Sequence, residues 1–393
     1  MPSSLPFAGL RILDISQGIA GPYCTQMLWQ QGAEVIKVEP PQGDWGRHVA
    51  VTAAGQSSVS VSYNAGKRSL CVDGRTSEGR LLLRRLAQSA DIVVQNFRPG
   101  VAQRMGVGYD DLAADIPGLI YVSISGYGDD GPFALSPASD SVMQADSGLM
   151  FANQDTDGNP RRIGLFVADI TTAIYAAQQV ATALYSRAMK GQGAHIRLSL
   201  FEACAALQIN DIAAFGKLGS RKAESVSAPN GVFDTADGKL SVLALNDDQF
   251  DRICKALGRP EWLDDPRLAS NDLRLAQREF LHAEIAQQLR SEPTDIWVER
   301  FQKHEVLHAP VRDYSQLTGH PQAVHLGLFQ NLEQPGWGVM KLPGLPGTGA
   351  RRPLQPAPSV GEHTTDILLE AGLTQAEIDQ LIENSVVRQA ESV

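Results

Sequence analysis

The sequence predicts an α/β protein, with a large domain on a Rossmann-like parallel sheet and a smaller α+β domain after it. Three observations lead there. Strand, glycine-containing turn, helix, strand and acidic residue follow one another over residues 10–39, the order of a nucleotide-binding βαβ unit. Short apolar, β-branched runs then recur at residues 91–95, 119–125 and 194–200, separated by helical segments. From residue 216 a short polar, charged stretch interrupts this alternation, and hairpin and helical patterns follow it.

Each element has its own signal. Residues 10–15 read as a first buried strand, and residues 17–22 as a turn with Pro22 suited to the first helical position. A helix over residues 23–31 is closed by Gly32, and residues 33–38 form the second strand before Glu39. The turn holds only Gly18 and Gly21, not the three-glycine fingerprint, so the fold is expected without a nicotinamide dinucleotide. Residues 78–89 make a helix with a basic outer face, and the strand at 91–95 opens into Asn96, Phe97 and Arg98. A helix ending near Met105 carries Arg104, and the strand at 119–125 ends in a glycine loop over residues 126–132.

In parallel sheets, ligands sit beyond the carboxyl ends of the strands, which gathers residues 17–20, 96–98 and 126–131. There Arg98 and Arg104 are either phosphate contacts or solvated charges, and Phe97 is a candidate for stacking on a base.

Asp169 is the only formally charged residue between Ile163 and Ser186, and the Ala-rich apolar run after it predicts a buried helix. Two readings stand side by side. Asp169 caps that helix, where free N–H groups and the dipole favour an anion. Alternatively it is a carboxylate held in an apolar, largely dry site, a usual setting for a nucleophile.

A strand over residues 194–200 and a helix over 201–215 complete a large domain, residues 1–215. Residues 216–227 are a linker, and 228–328 a small α+β domain with a hairpin at 232–245 and charged helices at 248–303. Residues 310–336 read as irregular and 343–358 as a Pro/Gly-rich connector. The return segment, 329–393, ends in two helices. The first is capped by residues 364–366 and ended by Gly372, and the second opens with a Thr374–Glu377 capping box.

A net charge of −10 argues against a general nucleic-acid or membrane-surface binder. No apolar run reaches spanning length, and residues 1–5 lack the basic and apolar regions of a secretory signal. Cys24, Cys71, Cys204 and Cys254 show no metal-ligand spacing and read as reduced thiols of a cytoplasmic protein. His304, His308, His320 and His325 form no ligand pattern, and His195 reads as structural. Trp45, Trp262 and Trp337 read as packing residues, and Asp129-Asp130 as a solvated turn.

Five stretches in order resemble the family III CoA-transferases, a group related to the 2-methylacyl-CoA racemases. They are Leu10-Arg-Ile-Leu-Asp-Ile with Ala20-Gly-Pro, and Gly32-Ala-Glu-Val-Ile-Lys-Val-Glu-Pro. The third is Lys67-Arg-Ser-Leu with Asp91-Ile-Val-Val-Gln-Asn-Phe-Arg-Pro-Gly-Val. The others are Ile124-Ser-Gly-Tyr-Gly with Gly164-Leu-Phe-Val-Ala-Asp, and Gly361-Glu-His-Thr-Thr.

The resemblance implies that Asp169 is a nucleophile that passes coenzyme A between acids through aspartyl anhydride and aspartyl-CoA thioester intermediates. It implies that Ile19, Ala20, Val72, Asp73, Arg75, Asn96, Phe97, Arg98, Arg104, Ser139 and Asp140 line the coenzyme A site. Arg75 and Arg104 would meet its phosphates, and Gln17 and Tyr127 the acyl group. It further implies acyl-CoA and a small carboxylic acid as substrates, no tightly bound cofactor, no metal, and an interlocked homodimer.

Two departures narrow the class. Racemases carry a His where this chain has Ser139, which cannot deprotonate a carbon acid at neutral pH, and Asp247 alone does not replace the pair. The tetraglycine loop of oxalate-specific enzymes is absent from residues 216–231. The expected reaction is therefore transfer from a donor such as succinyl-CoA to a dicarboxylate such as itaconate, mesaconate or malate. The alternatives are a racemase-like isomerase and a non-catalytic acyl-CoA binding protein.

Overall fold

The computed structural model describes residues 5–155, 157–219, 226–347 and 351–390. Two compact units emerge, one of Met1–Ile212 with Gly327–Val393 and the other of Ala213–Leu326. Part of the 216–231 stretch, residues 220–225, lies outside the described residues.

The larger unit is built on a seven-stranded sheet. Its strands are β1 (Arg11–Asp14), β2 (Glu34–Glu39), β3 (Arg68–Val72), β4 (Ile92–Gln95), β5 (Ile120–Ser125), β6 (Ala194–Ser199) and β7 (Val387–Arg388). The order is β7-β3-β2-β1-β4-β5-β6, with every pairing parallel except that of β7. The first six strands thus run 3-2-1-4-5-6, so the order reverses between β1 and β4, where such sheets open a crevice for ligands.

Both faces of the sheet are buried, as a parallel sheet requires. On one face Ile12, Val35, Ile92 and Val122 pack under helix α1 (Ala20–Gln30) and the Ala-rich side of a long helix, Val167–Lys190. On the other, Leu13, Ile36, Leu70 and Val93 meet Leu82, Leu83 and Leu86 of α2 (Ser77–Ala87) and Ile367 and Leu368 of a C-terminal helix. Successive residues such as Ile12 and Leu13 face opposite layers, the period-2 pattern of a strand. We number Asp140–Asp146 as α3 and Val167–Lys190 as α4.

Several sequence expectations need correction. Helix α1 begins at Ala20, so Pro22 is its third residue; the first turn's N–H groups have no helical acceptor, which lets proline stand there. Strand β3 was not foreseen. The helix expected over 201–215 is two, Leu200–Leu207 and Ile209–Leu218, parted at Gln208. Within the stretch expected to be irregular, Phe329–Gln334 pairs with Gly338–Pro343 as an antiparallel hairpin. Helix α4 is buried on one side only: Ile174, Tyr185 and Met189 are exposed. Thr364 is not a cap; its hydroxyl accepts from Cys71 N and donates to Arg388 O.

In the smaller unit Asn230–Asp234, Lys239–Leu243 and Leu307–Pro310 form an antiparallel sheet, and helices supply Phe250, Ile285, Trp297 and Phe301 to its core. Arg274 is fully buried there, donating to Ala228 O, Leu268 O and the Asp247 carboxylate. No helix among the described residues is long and apolar enough to cross a membrane. All four cysteines are free and buried.

Candidate functional site

Two cavities open at the carboxyl end of the sheet in the larger unit. The first, about 530 Å³, is lined by Gln17, Ile19, Ala20, Trp45, Asn96, Phe97, Arg98, Ser139, Asp140, Phe166 and Asp169, among others. The second, about 590 Å³, is lined by Glu39, Val72, Asp73, Arg75, Arg80, Phe97, Arg104 and neighbours. Gln17 and Phe97 line both, so the two meet at the β1–β4 crevice.

Asp169 is the third residue of α4, yet its carboxylate accepts no hydrogen bond from any described residue. The capping role falls to Asp140, 28 positions before Ala168. Asp140 Oδ2 accepts from Ala168 N at 2.8 Å, and Asp140 Oδ1 accepts from Gln144 Nε2 at 2.6 Å. Gln144 in turn accepts from Ile163 N at 2.9 Å, which ties the segment before α4 to α3. Asp169 is left free to face the cavity. Burial, and then the nearby Asp140 charge, push its carboxyl up to about 7. The N-terminal end of α4 acts the other way, favouring the anion.

The opposing wall is the loop after β1. Asn96 holds Gln17 by both ends of its amide: Oδ1 accepts from Gln17 N at 2.8 Å, and Nδ2 donates to Gln17 O at 2.7 Å. Just beyond, the N–H groups of Ile19 and Ala20 have no partner among the described residues, and both residues line the cavity. Free N–H groups at the start of a helix are donors for an oxyanion. Asn96 is therefore a clamp on the loop.

The second cavity is basic at its rim. Arg75 makes a two-pronged pair with Asp73, at 2.8 and 2.7 Å. Arg80, which sequence reading missed, donates to Arg75 O and Arg104 O and so draws these guanidinium-bearing segments together. Nothing local marks it, since it is one of several arginines on an amphipathic helix. Trp45 is half exposed and forms a wall of the first cavity rather than core packing. Tyr127 lines neither cavity: its hydroxyl donates to Asp146 at 2.8 Å and its ring lies against Phe133 and Phe201. His195 stacks on Tyr109 with centroids 4.3 Å apart, and its Nε2 lies 2.9 Å from Ser123 Oγ. Among the described residues no group of His, Cys, Asp or Glu is arranged to hold a metal.

The profile of CoA-transferase family III matches residues 7–364. The chain belongs to CoA-transferase family III. Among the relatives of this transferase, the human succinyl-CoA:glutarate CoA-transferase is 33% identical over 402 residues, covering 98% of this chain and 91% of that protein. A succinate–glutarate CoA-transferase of Agrobacterium fabrum is 33% identical over 386 residues, covering 93% and 95%. A crystal structure of a CAIB/BAIF family protein from Brucella suis superposes with a TM-score of 0.85 at 31% identity, covering 94% of the transferase and all of that chain. CoA thioesters are accordingly its substrates.

Proposed function

We propose that this transferase moves coenzyme A from succinyl-CoA to a dicarboxylic acid of four or five carbons, with Asp169 as the nucleophile. The observation that carries this is Asp169 itself, a carboxylate on a cavity wall, relieved of capping by Asp140 and facing a loop with free N–H donors. Its carboxylate attacks the thioester carbonyl, the C–S bond breaks, and a mixed anhydride and CoA thiolate result. The thiolate then attacks the aspartyl carbonyl, releasing the donor acid and leaving an aspartyl-CoA thioester. The acceptor carboxylate attacks that thioester, expelling the thiolate and forming a second anhydride. Attack of the thiolate on the acceptor's carbonyl yields the new acyl-CoA and frees Asp169. The Ile19 and Ala20 N–H groups are the candidates to hold each oxyanion.

Glutarate is the first acceptor to test, because the relatives at 33% identity are named for it; itaconate, mesaconate and malate belong to the same set. Phe97, Asn96 and Arg98 on one side, with Val72, Asp73, Arg75 and Arg104 on the other, make a continuous course for an acyl-CoA. Ser139, where an imidazole would be needed for carbon-acid chemistry, supports transfer over racemisation. The exposed apolar side of α4 supports a homodimer, and the four buried thiols agree with a cytoplasmic location.

Steady-state kinetics with succinyl-CoA and glutarate test the reading. Parallel double-reciprocal lines, with exchange of labelled succinate into succinyl-CoA when no second acid is present, are expected. Exchange of an α-proton without any acid acceptor would instead mark an isomerase.

Two further outcomes are expected here. Because the nucleophile must be ionised, kcat/KM for acyl-CoA should rise with pH and level off above about 7, the value for Asp169. Asp140→Asn removes the second cause of that elevation and should move the limb to lower pH; an unmoved limb assigns it to another group. Arg104→Ala should raise KM for succinyl-CoA by about 10–100-fold with kcat little changed, as loss of a charge-assisted phosphate contact does. Equal losses for CoA and dephospho-CoA thioesters would place Arg104 on the diphosphate, and a loss confined to CoA on the 3′-phosphate.

A further inference from the structure

Behind the β1 loop lies a group of buried charges that the chemistry above does not use: Asp14, Lys37, Glu39, Asp44, Arg47 and Lys67, each at most 4% exposed. Three acids and three bases balance. Arg47 and Glu39 form a two-pronged pair at 2.6 Å, and Lys67 lies 2.9 Å from Asp14. The remaining pair, Lys37 and Asp44, 2.9 Å apart, differs in what it holds: its partners bond the backbone on both sides of Gln17 and at Gly46.

Asp44 Oδ1 accepts from Gly18 N at 2.8 Å and from Gly46 N at 2.7 Å. One carboxylate oxygen thereby ties together the two segments that flank Trp45 and the Gln17–Ala20 loop. Their contact is close: a Cβ added to Gly18, whose φ is +77°, would fall 1.9 Å from the Trp45 ring. Lys37 Nζ donates to Ser16 O on the other side of Gln17, and Asp44 N donates to Glu39 Oε2 at 3.1 Å. Ser16, Gln17 and Gly18 are thus each held separately: Ser16 by Lys37 and Asp14, Gln17 by Asn96, and Gly18 by Asp44. The free N–H groups of Ile19 and Ala20 begin one residue later.

We infer that Asp44, held in place by Lys37, is a positioning residue for transfer: it sets where the Gln17–Ala20 loop stands against Trp45, and so acts on rate without touching substrate. This rests on the transfer reading above. The physical argument is that charge-assisted bonds from a buried carboxylate are short and stiff, and that a wall misplaced by about 1 Å reduces the rate by about 10²-fold.

Single removal of Lys37 leaves a buried unpaired carboxylate and can prevent folding, so the test uses two double variants. Lys37→Met with Asp44→Asn removes both charges but keeps a carbonyl oxygen able to accept from Gly18 and Gly46. Lys37→Met with Asp44→Ala removes the charges and the acceptor. We expect the first to keep kcat for succinyl-CoA:glutarate transfer within about 5-fold of wild type, and the second to lose about 10²-fold in kcat. The dissociation constant for CoA, measured by calorimetry, should stay within about 2-fold in both, since no phosphate contact changes. Equal kcat in the two doubles, or a loss that follows CoA affinity, overturns the inference.

Hydrogen exchange at Gly18 and Gly46 provides a readout that needs no turnover. Exchange at these amides should quicken by at least about 10-fold in the Ala double and stay near wild type in the Asn double. Similar protection in both overturns the tie even if the wild-type enzyme proves to act on other acids. A wild-type protein that transfers CoA between no acids at all, with the exchange difference intact, overturns the function and leaves the tie standing.

Discussion

Replacing Asp169 by Asn lowers kcat for transfer by roughly 10⁴-fold or more, the range seen when a nucleophile is removed and binding is left intact. Wild-type protein incubated with succinyl-CoA and then treated with hydroxylamine or borohydride carries a modification on the peptide containing Asp169, and the variant carries none. Mass spectrometry of the two digests reads this directly. A modification elsewhere, or none with several acyl-CoAs, overturns Asp169 as nucleophile.

The same substitution separates chemistry from folding, because Asp169 titrates higher in the folded chain than the usual 3.8. A folded-state pKa raised to about 7 means that the folded form binds the proton more tightly. The stability this supplies is complete below about pH 4 and is lost as pH rises through about 7. Asn carries no such titration. The variant is thus expected to unfold at a higher temperature than wild type at pH 8 while being catalytically dead, and a lower melting temperature there would show that the anion is better accommodated than its surroundings suggest.

The second large effect lies in stability. Lys67 Nζ is 2.8–2.9 Å from Asp14 Oδ2, Pro22 O, Thr25 Oγ1 and Asn64 Oδ1, with no exposure of either charged side chain. Lys67→Met leaves Asp14 buried without its counter-charge, and losses of about 3–5 kcal/mol accompany the breaking of such pairs. Denaturant titration followed by the fluorescence of the buried Trp29 on α1 should show the shift. The pair also predicts a limb in acid. Burial opposes the Asp14 charge, but Lys67, Lys37, Ser16 and Thr25 together hold its carboxyl down at about 2. Its contribution is therefore present above about pH 4 and disappears as pH falls towards 2. A Lys67→Met protein as stable as wild type at pH 7 would mean that the ammonium is neutralised by burial instead.

Five of the seven sheet strands were legible because each is an apolar run closed by a turn residue, as in Arg11–Asp14 before Gln17. Strand β3 escaped because Arg68 and Ser69 break its run; they belong to ion pairs with Glu34 and Glu370 and to a hydroxyl bond with Glu39, none visible locally. Strand β7 is two residues long and exists only by pairing with Cys71 and Val72. Asp169 stood out by isolation, but its freedom from capping depends on Asp140, whose role spans α3 and α4. Of the residues expected to bind ligand, all but Tyr127 line the two cavities. Tyr127, expected at the acyl group, turns to Asp146. Trp45 reads as packing, and Arg80 as one charge on a basic helix face, because the place of each depends on segments distant in sequence.

The β7–β3 pairing also orders the events of synthesis. The N-terminal residues through Ser199 can assemble the six parallel strands, but the outer edge of β3 closes in two later steps: His363 and Thr364 bond Ser69 and Cys71, and residues 386–388 then pair with its Cys71–Asp73 end. A chain stopped a few residues short would hold both cavities and Asp169 yet leave the Cys71–Asp73 end of that edge without its partner strand. Such a chain is a template for its own aggregation, so the last hydrogen bonds of the sheet protect the nascent enzyme more than they shape its pocket.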